Sequence, residues 1–239
     1  MRAPLAALSV LSAAALAAAG CGSSAGPGVA SRTAEGAAAA RPPAVSVLGT
    51  SVVLDAARAR LALALRQPEG VDPPLARVAT LDLPEGVRWR GGDAPSCARA
   101  TLARTGVAGC PRAAVIGRGT AVAAADTATT RGAITVVNGG ADHVLLATVV
   151  RHPAYVKTVI DGRVGAGPGG RLRLTLAFPA GLQTVAGLPL GLERLAVVLD
   201  RGRALRVAPC PARPWAYAAS VRFVDGAAVA ARGRVTCRG

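Results

Sequence analysis

Polar and apolar positions alternate along much of the chain after residue 45. Residues 171–178 (RLRLTLAF) alternate throughout, and residues 60–66 (RLALALR) place leucine at every second position. Successive side chains of a β-strand point to opposite faces of the sheet, so this period of two predicts strands with one buried face. Further short runs rich in β-branched residues or leucine predict strands at 78–83, 134–137, 144–150, 156–160, 195–199 and 220–224.

Turn-forming dipeptides separate these runs. Asn138-Gly139, Asp161-Gly162 and Asp225-Gly226 stand at hairpin positions, because Asn-Gly and Asp-Gly accept the positive φ angles that two-residue turns require. At the last of these dipeptides, a two-residue turn sets Val224 opposite Ala227. Many short strands at turn-marked intervals predict an antiparallel sandwich or barrel.

Alanine, with 55 residues, ordinarily favours helix, but no long stretch after residue 45 keeps a helical period. One short run, residues 98–104, predicts a helix that Ser96 caps and Gly106 ends. We therefore predict one all-β domain over residues 45–239, an antiparallel β-sandwich or barrel-like sheet with one short helix and two disulfides; whether it is one sandwich or two smaller sheets stays open.

The N-terminal segment predicts export. Met1 and Arg2 form a short positive start, residues 3–19 are apolar and rich in alanine and leucine, and small residues lead into Cys21. This is the pattern of a signal that is removed from the mature chain.

The run LAAAGC over residues 16–21 resembles the lipobox of bacterial lipoproteins, with Ala18 where that family usually has leucine. The resemblance implies that Cys21 is acylated with diacylglycerol and becomes the mature N-terminus. Ordinary signal cleavage after Ala19 or Gly20, which would leave a free thiol, is the alternative interpretation.

Residues 22–44 consist mainly of Gly, Ser, Ala and Pro, with almost no large apolar side chain. A segment of this composition cannot pack, and it predicts a tether. As a flexible coil its 23 residues span roughly 25–30 Å, which holds a folded domain just off a membrane surface. We predict an export signal at 1–20, a lipid anchor and tether at 21–44, and a chain held at the bacterial cell membrane or envelope.

Four cysteines remain in the predicted domain: Cys97, Cys110, Cys210 and Cys237. An even number in an exported chain argues for two disulfides, and the spacing favours 97–110 with 210–237 among the three possible connectivities. The predicted register of the last hairpin sets Cys237 opposite Pro214, close in sequence to Cys210. Zinc is the competing interpretation, and the absence of a Cys-x-x-Cys pair argues against it.

An ordered series of short motifs runs through the domain. It comprises Leu83-Pro-Glu-Gly86, Cys97, Cys110-Pro111, Ile116-Gly-Arg-Gly119, Cys210-Pro211, Trp215, Asp225-Gly226 and Cys237. The series resembles an uncharacterised group of secreted β-rich proteins from high-GC soil bacteria. The resemblance implies export and disulfide bonding, and it brings no activity with it.

Two motifs with possible chemistry have simpler explanations. Residues 165–170 (GAGPGG) match a dinucleotide-binding spacing, but strand alternation follows where that motif requires a helix, so a hairpin loop is the better interpretation. His143 and His152 are nine residues apart, which places them on opposite faces of a regular strand. We therefore expect them to form neither a metal site nor a catalytic pair.

Glu85 and Asp93 near Trp89 are the kind of carboxylate pair that sugar hydrolysis uses beside a stacking platform. A turn at Glu85, a loop at Asp93 and a packed Trp89 are the preferred interpretation. Ser96 and Ser220 have no acid or base partner nearby in sequence, and no nucleophile elbow is present. We predict no catalytic residue, no metal and no cofactor.

The chain carries 28 Lys and Arg residues against 13 Asp and Glu, a formal net charge of +15, and 27 of the 28 bases are Arg. Such a field attracts polyanions. Nucleic-acid binding would require clustered basic residues interleaved with aromatic ones. Here the arginines are spread along the chain, which has only six aromatic residues. The expected partners are therefore the membrane, through lipid on Cys21, and anionic envelope polymers, but no nucleic acid.

These patterns lead to one hypothesis and one alternative. The leading hypothesis is a non-enzymatic, membrane-tethered envelope lipoprotein with a structural or interaction role. The alternative is a carrier of a hydrophobic, lipid-like ligand, because small inward side chains and few aromatics are able to leave a barrel hollow.

Overall fold

The computed structural model of the chain describes residues 47–55, 57–67, 71, 74–125, 128–152, 154–185, 187–209 and 214–237. The predicted export signal, the predicted acylation site Cys21, the tether and Cys210 lie outside these residues. No helix within the described ranges is long and apolar enough to cross a bilayer.

The described chain is mostly β-strand, as the alternation predicts. The strands are β1 Val47–Leu54, β2 Arg58–Arg66, β3 Ala76–Leu83, β4 Val87–Trp89, β5 Val115–Ala125, β6 Ala128–Asn138, β7 His143–Val150, β8 Val156–Ala166, β9 Leu172–Ala177, β10 Thr184–Val185, β11 Leu188–Pro189, β12 Gly191–Asp200, β13 Leu205–Val207, β14 Ala216–Phe223, β15 Ala228–Arg234 and β16 Thr236–Cys237. The α-helices within these residues are α1 Arg99–Thr105 and α2 Ala180–Gln183.

One large sheet has the strand order β15-β14-β3-β9-β8-β7-β6-β5-β12-β2-β1-β16. Each neighbouring pair is antiparallel except β1 with β16, which is parallel. β16 follows β15 after the single residue Val235, so the last strand in this order leads back to the first. The sheet is therefore barrel-like and nearly closed, which confirms the barrel form of the prediction.

The seam between the two margins of the sheet has a direct bond as well as the β1–β16 ladder. The Tyr217 hydroxyl on β14 donates a hydrogen bond to the carbonyl oxygen of Thr50 on β1, at 2.9 Å. The eleven strands from β15 to β1 pair antiparallel throughout, so the first and last of them point the same way. Closure of this sheet therefore has to use a parallel pair.

Leucine and valine from the inward faces of the strands form the main core, together with Tyr217 and Phe223. Val136, Leu146 and Ile160 lie directly opposite one another on β6, β7 and β8 and are buried. Their burial follows from the period of two, since the alternate positions of these strands face outward.

A second, smaller core lies on the outer face of β6, β7 and β8. The segment from 97 to 114 crosses this face, and its Leu102 and the disulfide Cys97–Cys110 pack with Val137, Leu145 and Val159. The Arg99 guanidinium donates to both carboxylate oxygens of Asp161 on β8, at 2.8 Å each. The predicted pairing of Cys97 with Cys110 is thus confirmed.

Asn138, the last residue of β6, attaches the segment over residues 91–95 to the end of the sheet where β6 finishes. Its side chain is fully buried, and its amide nitrogen donates to the carbonyls of Gly91, Ala94 and Pro95 at 2.9, 3.2 and 2.9 Å. Its amide oxygen accepts from the N–H of Gly140 at 3.1 Å. These four partners determine which amide atom is nitrogen and which is oxygen.

The predicted short helix is confirmed as α1, and Gly106 ends it with a φ of +71°. The prediction of Ser96 as its cap is wrong. The N-cap is Ala98, without a side-chain bond, because the N–H of Cys97 donates to the carbonyl of Asn138 and keeps the chain extended past Ser96. The second helix, α2, was not predicted.

The hairpin predicted at Asp161-Gly162 is also wrong, because both residues lie in the middle of β8. Gly162 faces Val144 on β7, where an added Cβ would lie 2.5 Å from Val144 Cγ1. Glycine here permits close approach of two strands. A loop does join β8 to β9 as predicted, but Gly165 and Ala166 still belong to β8, and the N–H of Gly167 donates to the carbonyl of Arg171 to close the loop.

The last hairpin is present, but its predicted register is wrong by one residue. The N–H of Phe223 donates to the carbonyl of Ala227, and Gly226 has a φ of +89°, so the turn contains three residues. A type I turn followed by a left-handed glycine gives this geometry, and the shift moves the partner of each β14 residue by one position along β15, so that Val221 pairs with Val229. Cys237 is disulfide-bonded. Its pairing with Cys210 stays a prediction.

We expect Asn138→Ala to lower the free energy of unfolding by about 2–3 kcal/mol, because three carbonyls and one N–H lose a buried partner. Urea denaturation measures the change. Gln183→Ala is the matched control, since that amide is half-buried and donates to the carbonyls of Ala76 and Phe178. If Asn138→Ala lowers the free energy of unfolding no more than Gln183→Ala does, the structural role given to Asn138 is contradicted.

Candidate functional site

The barrel-like sheet has two ends with different chemistry. We call the end where β1 begins at Val47 the entry end, and the opposite end the cleft end. Strand pairing assigns the other strands: β12, β6, β8, β3 and β15 also begin at the entry end, while β2, β5, β7, β9 and β14 finish there.

Two hollows of about 690 and 540 Å³ lie side by side at the cleft end, since Arg112 and Arg203 line both, and we call them together the cleft. The cleft is rich in arginine, and each of these arginines is exposed. They are Arg58, Arg60, Arg90, Arg112, Arg118, Arg203 and Arg206. The acids that line it are Asp93 and Asp200, which leaves an excess of five positive charges.

The outer face of three neighbouring strands supplies the floor of the cleft. Arg60 on β2 and Arg118 on β5 are each paired with Val198 of the intervening β12, so the two guanidinium-bearing residues flank one valine. Two residues further towards the cleft end, Arg58 on β2 is paired with Asp200 on β12. These residues face outward because their neighbours along the strands, such as Leu61 and Leu199, fill the interior.

The turn from β1 to β2 presents Arg58 and Arg60. The Asp55 carboxylate accepts hydrogen bonds from the N–H groups of Ala57 and Arg58, at 2.9 and 2.6 Å. These backbone bonds lower the pKa of Asp55 below its ordinary value, and the positive charges of Arg60 and Arg58 lower it further. The carboxylate thus shapes the turn while lying 4.0 Å from the Arg60 guanidinium.

Two further bonds orient arginines on the cleft walls. Arg90 is held against Asp93 at 2.6 Å, which partly neutralises that carboxylate. The Arg203 guanidinium donates to the carbonyl of Val115 at 2.8 Å. Within the described residues, the guanidinium groups of Arg58, Arg112, Arg118 and Arg206 have no hydrogen-bond or ion-pair partner.

A cleft of this composition is suited to binding anions that carry several charges. Guanidinium groups bind phosphate and carboxylate in bidentate geometry, and arginines on several walls engage repeated charges at once. The residues that line the cleft include no aromatic side chain. Base stacking therefore has no aromatic platform among these lining residues.

The two histidines weighed in the sequence analysis lie at opposite ends of the sheet. His143 begins β7 at the cleft end, and His152 follows β7 at the entry end. The His143 ring lies 2.6 Å from Asp142, and this hydrogen bond, more than the nearby Arg163, lowers the pKa of the Asp142 carboxyl. Among the described residues, no three His, Cys, Asp or Glu side chains form a group that would hold a metal.

Glu85 and Asp93, the two carboxylates near Trp89 in sequence, have different surroundings. Glu85 lies exposed in the turn before β4, as predicted, while Asp93 is bound to Arg90. Trp89 packs against the core and donates from Nε1 to the carbonyl of Gly140 at 3.1 Å. Ser96 is exposed, and Ser220 lies on β14.

The interior contains three apolar cavities of about 60, 50 and 40 Å³. Leu195 lines the first two, and Leu174 and Leu176 line the second and third, so the cavities follow one another inside the sheet. Sites for drug-sized ligands occupy roughly 300–1,000 Å³. Each of these cavities is by itself smaller than that range.

Sequence reasoning missed the cleft because it treated the arginines as dispersed. They come from the start of β2, the residue after β4, the segment before β5 and the first residues of β5, and the region after β12, which lie far apart along the chain. The signal that was present is local: bases occur close to strand ends at Arg58, Arg118 and Arg203. Only the pairing of β2 and β5 with β12 shows that these strand ends are neighbours.

Comparison of the chain with protein-family models, with curated proteins and with solved structures found no match.

We expect Asp55→Ala to destabilise the fold at neutral pH, because two N–H groups of the β1–β2 turn lose their acceptor. The folded-state pKa of Asp55 is lowered, so its stabilisation is present above the unfolded value of about 3.9 and is lost as the pH falls through the folded pKa. Thermal unfolding at pH 7 and at stepwise lower pH measures this. A difference in Tm that stays constant into strong acid would contradict it.

Proposed function

We propose that the protein is a non-enzymatic, lipid-anchored protein of the bacterial cell envelope whose arginine-lined cleft binds an anionic envelope polymer. The observation that carries this proposal is the cleft itself, in which seven exposed arginines face only two aspartates. The sequence supports the location through its export signal and the lipobox-like run that ends at Cys21.

The form of the cleft favours a polymer over a single small anion. Its two hollows of about 690 and 540 Å³ share the lining residues Arg112 and Arg203, so one chain with repeated charges is able to contact both. Exposed ion pairs are individually weak and are screened by salt, whereas several on one ligand add together. Binding of this kind is strongest for a regularly charged polymer and weakens as ionic strength rises.

The test of the cleft uses poly(glycerol phosphate) as the probe. We expect Arg112→Ala combined with Arg203→Ala to weaken binding at least about tenfold at low salt, because two charge-assisted contacts are lost. Calorimetry or fluorescence anisotropy with a labelled probe measures the affinity, and the Tm shows that the variant is folded.

The matched control removes two exposed arginines elsewhere, Arg131 on β6 and Arg232 on β15, and changes the net charge equally. We expect Arg131→Ala combined with Arg232→Ala to keep most of the affinity. An equal loss in both double variants would show that only the overall charge attracts the polymer, and it would reject the cleft as the site.

The location is tested at Cys21. We expect Cys21→Ser to move the protein from the membrane fraction to the released fraction, and the mass of the wild-type chain from its own membranes to include diacylglycerol. A wild-type chain without acyl mass would contradict the anchor and leave the cleft proposal to its own test.

A further inference from the structure

The large apolar side chains that are exposed within the described residues all lie at the entry end. They are Val47, Val71, Tyr155, Leu188 and Val224, each between 40% and 66% exposed. None of the large exposed apolar side chains in the described ranges lies at the cleft end.

Their positions in the chain show how the topology brings them to one end. Val47 begins β1, and Leu188 lies in β11 between the end of β9 and the start of β12. Val71, Tyr155 and Val224 occupy the β2–β3, β7–β8 and β14–β15 connections. These elements are distributed around the sheet order, so the side chains form a rim, which we call the apolar rim.

An apolar rim at connecting loops needs an explanation, because exposed tips of loops ordinarily carry polar residues. Exposed apolar side chains that are confined to one end of a domain are a feature of surfaces that contact another molecule or a membrane. Tyr155, the most exposed of the five at 66%, combines an apolar ring with a polar hydroxyl, which suits the boundary between lipid headgroups and acyl chains.

The direction of the chain identifies the occupant. The polypeptide enters the described domain at Val47, which itself belongs to the apolar rim. Only residues 22–46 separate this point from Cys21, a span of roughly 25–30 Å for a flexible chain. A lipid on Cys21 therefore holds the entry end within reach of the bilayer, and the tether raises the effective concentration of the membrane surface at the rim.

We propose that the entry end is a lipid-docking surface, whose apolar rim inserts at the headgroup boundary of the membrane that holds Cys21. This inference rests on the lipid anchor of the proposed function. It adds the orientation of the domain, with the arginine-lined cleft directed away from the membrane.

The entry end is basic as well as apolar. The exposed bases of the described strands and loops at this end are Arg66, Arg77, Arg131, Arg151, Lys157, Arg194 and Arg222, and the described acids are Glu193 and Asp225. This excess of positive charge adds an attraction to anionic headgroups, which salt screens. Phosphatidylcholine has no net charge, so on this lipid apolar insertion alone holds the surface, and docking there persists at high salt.

The test measures the depth of a tryptophan in full-length acylated protein, reconstituted in phosphatidylcholine vesicles with brominated acyl chains. Trp89 on β4 and Trp215 before β14 both lie at the cleft end, so the wild-type emission serves as a background that bromine leaves unchanged. We expect the emission added by Tyr155→Trp to be mostly quenched. Ala208→Trp, at an exposed position of the cleft end, is the matched control and should stay unquenched.

A second substitution tests the rim itself. Leu188→Asp in the Tyr155→Trp background should restore most of the lost emission, and both positions are exposed, so the fold should tolerate the changes. Repeating the measurement at 1 M salt should leave the quenching of Tyr155→Trp unchanged.

The outcomes separate the orientation from the anchor. Acylated protein in which Tyr155→Trp is not quenched, or is quenched no more than Ala208→Trp, overturns the docking surface and leaves the anchor standing. If Tyr155→Trp is not quenched and sedimentation shows that the protein is a dimer, the apolar rim is a contact between copies of the chain. That outcome also overturns the docking surface. If the chain carries no lipid, it is mixed directly with the vesicles: quenching of Tyr155→Trp supports the surface, and its absence overturns it.

Discussion

The parallel pairing of β1 with β16 is the contact on which the rest of the structure depends. Val53 and Leu54 pair with Thr236 and Cys237, and the hydrogen bond from Tyr217 to Thr50 crosses the same seam. Without this seam, eleven strands would form an open sheet with two unpaired edges and one exposed apolar face. With it, the leucine and valine side chains of the inner face bury one another.

Closure also creates two ends from segments that are distant along the chain. The connections between successive strands alternate between the ends, so the β1–β2 turn and the segment after β12 meet at one end. The β2–β3, β7–β8 and β14–β15 connections meet at the other. The arginine-lined cleft and the apolar rim are therefore both consequences of strand pairing, and neither is encoded by a contiguous motif.

The parts of the fold that the sequence predicts are those that depend on local pattern. The alternation in 171–178 predicts β9, and Gly106 ends α1 because a residue at φ +71° favours glycine. Asp161-Gly162 shows where local pattern fails. Asp-Gly forms a turn elsewhere in this chain, but here both residues pair with β7, and Arg99 binds the Asp161 carboxylate. These tertiary contacts determine that the dipeptide is part of β8, and the local sequence does not contain them.

The cleft could not be predicted for a related reason. Arg60 and Arg118 are 58 positions apart, and they become neighbours only because β12 returns from near the end of the chain to pair with both of their strands. An arginine near a strand end is an ordinary solvated residue unless the topology places others beside it. The pattern of charge along the chain therefore predicted an attraction to polyanions but no site for them.

The separation of the two ends resolves a conflict within the proposed function. A domain with an excess of arginine, tethered within about 30 Å of a bilayer, would ordinarily have its basic surface occupied by anionic lipid headgroups. β1 has eight residues, which at about 3.3 Å per residue and a barrel-like tilt span about 20 Å along the axis of the sheet. That distance exceeds the Debye length of about 8 Å at physiological salt, so a domain seated on its apolar rim holds the cleft outside the electrostatic reach of the lipid surface. In the proposed orientation, apolar docking at one end leaves the arginines at the other end available for a polymer beyond the membrane.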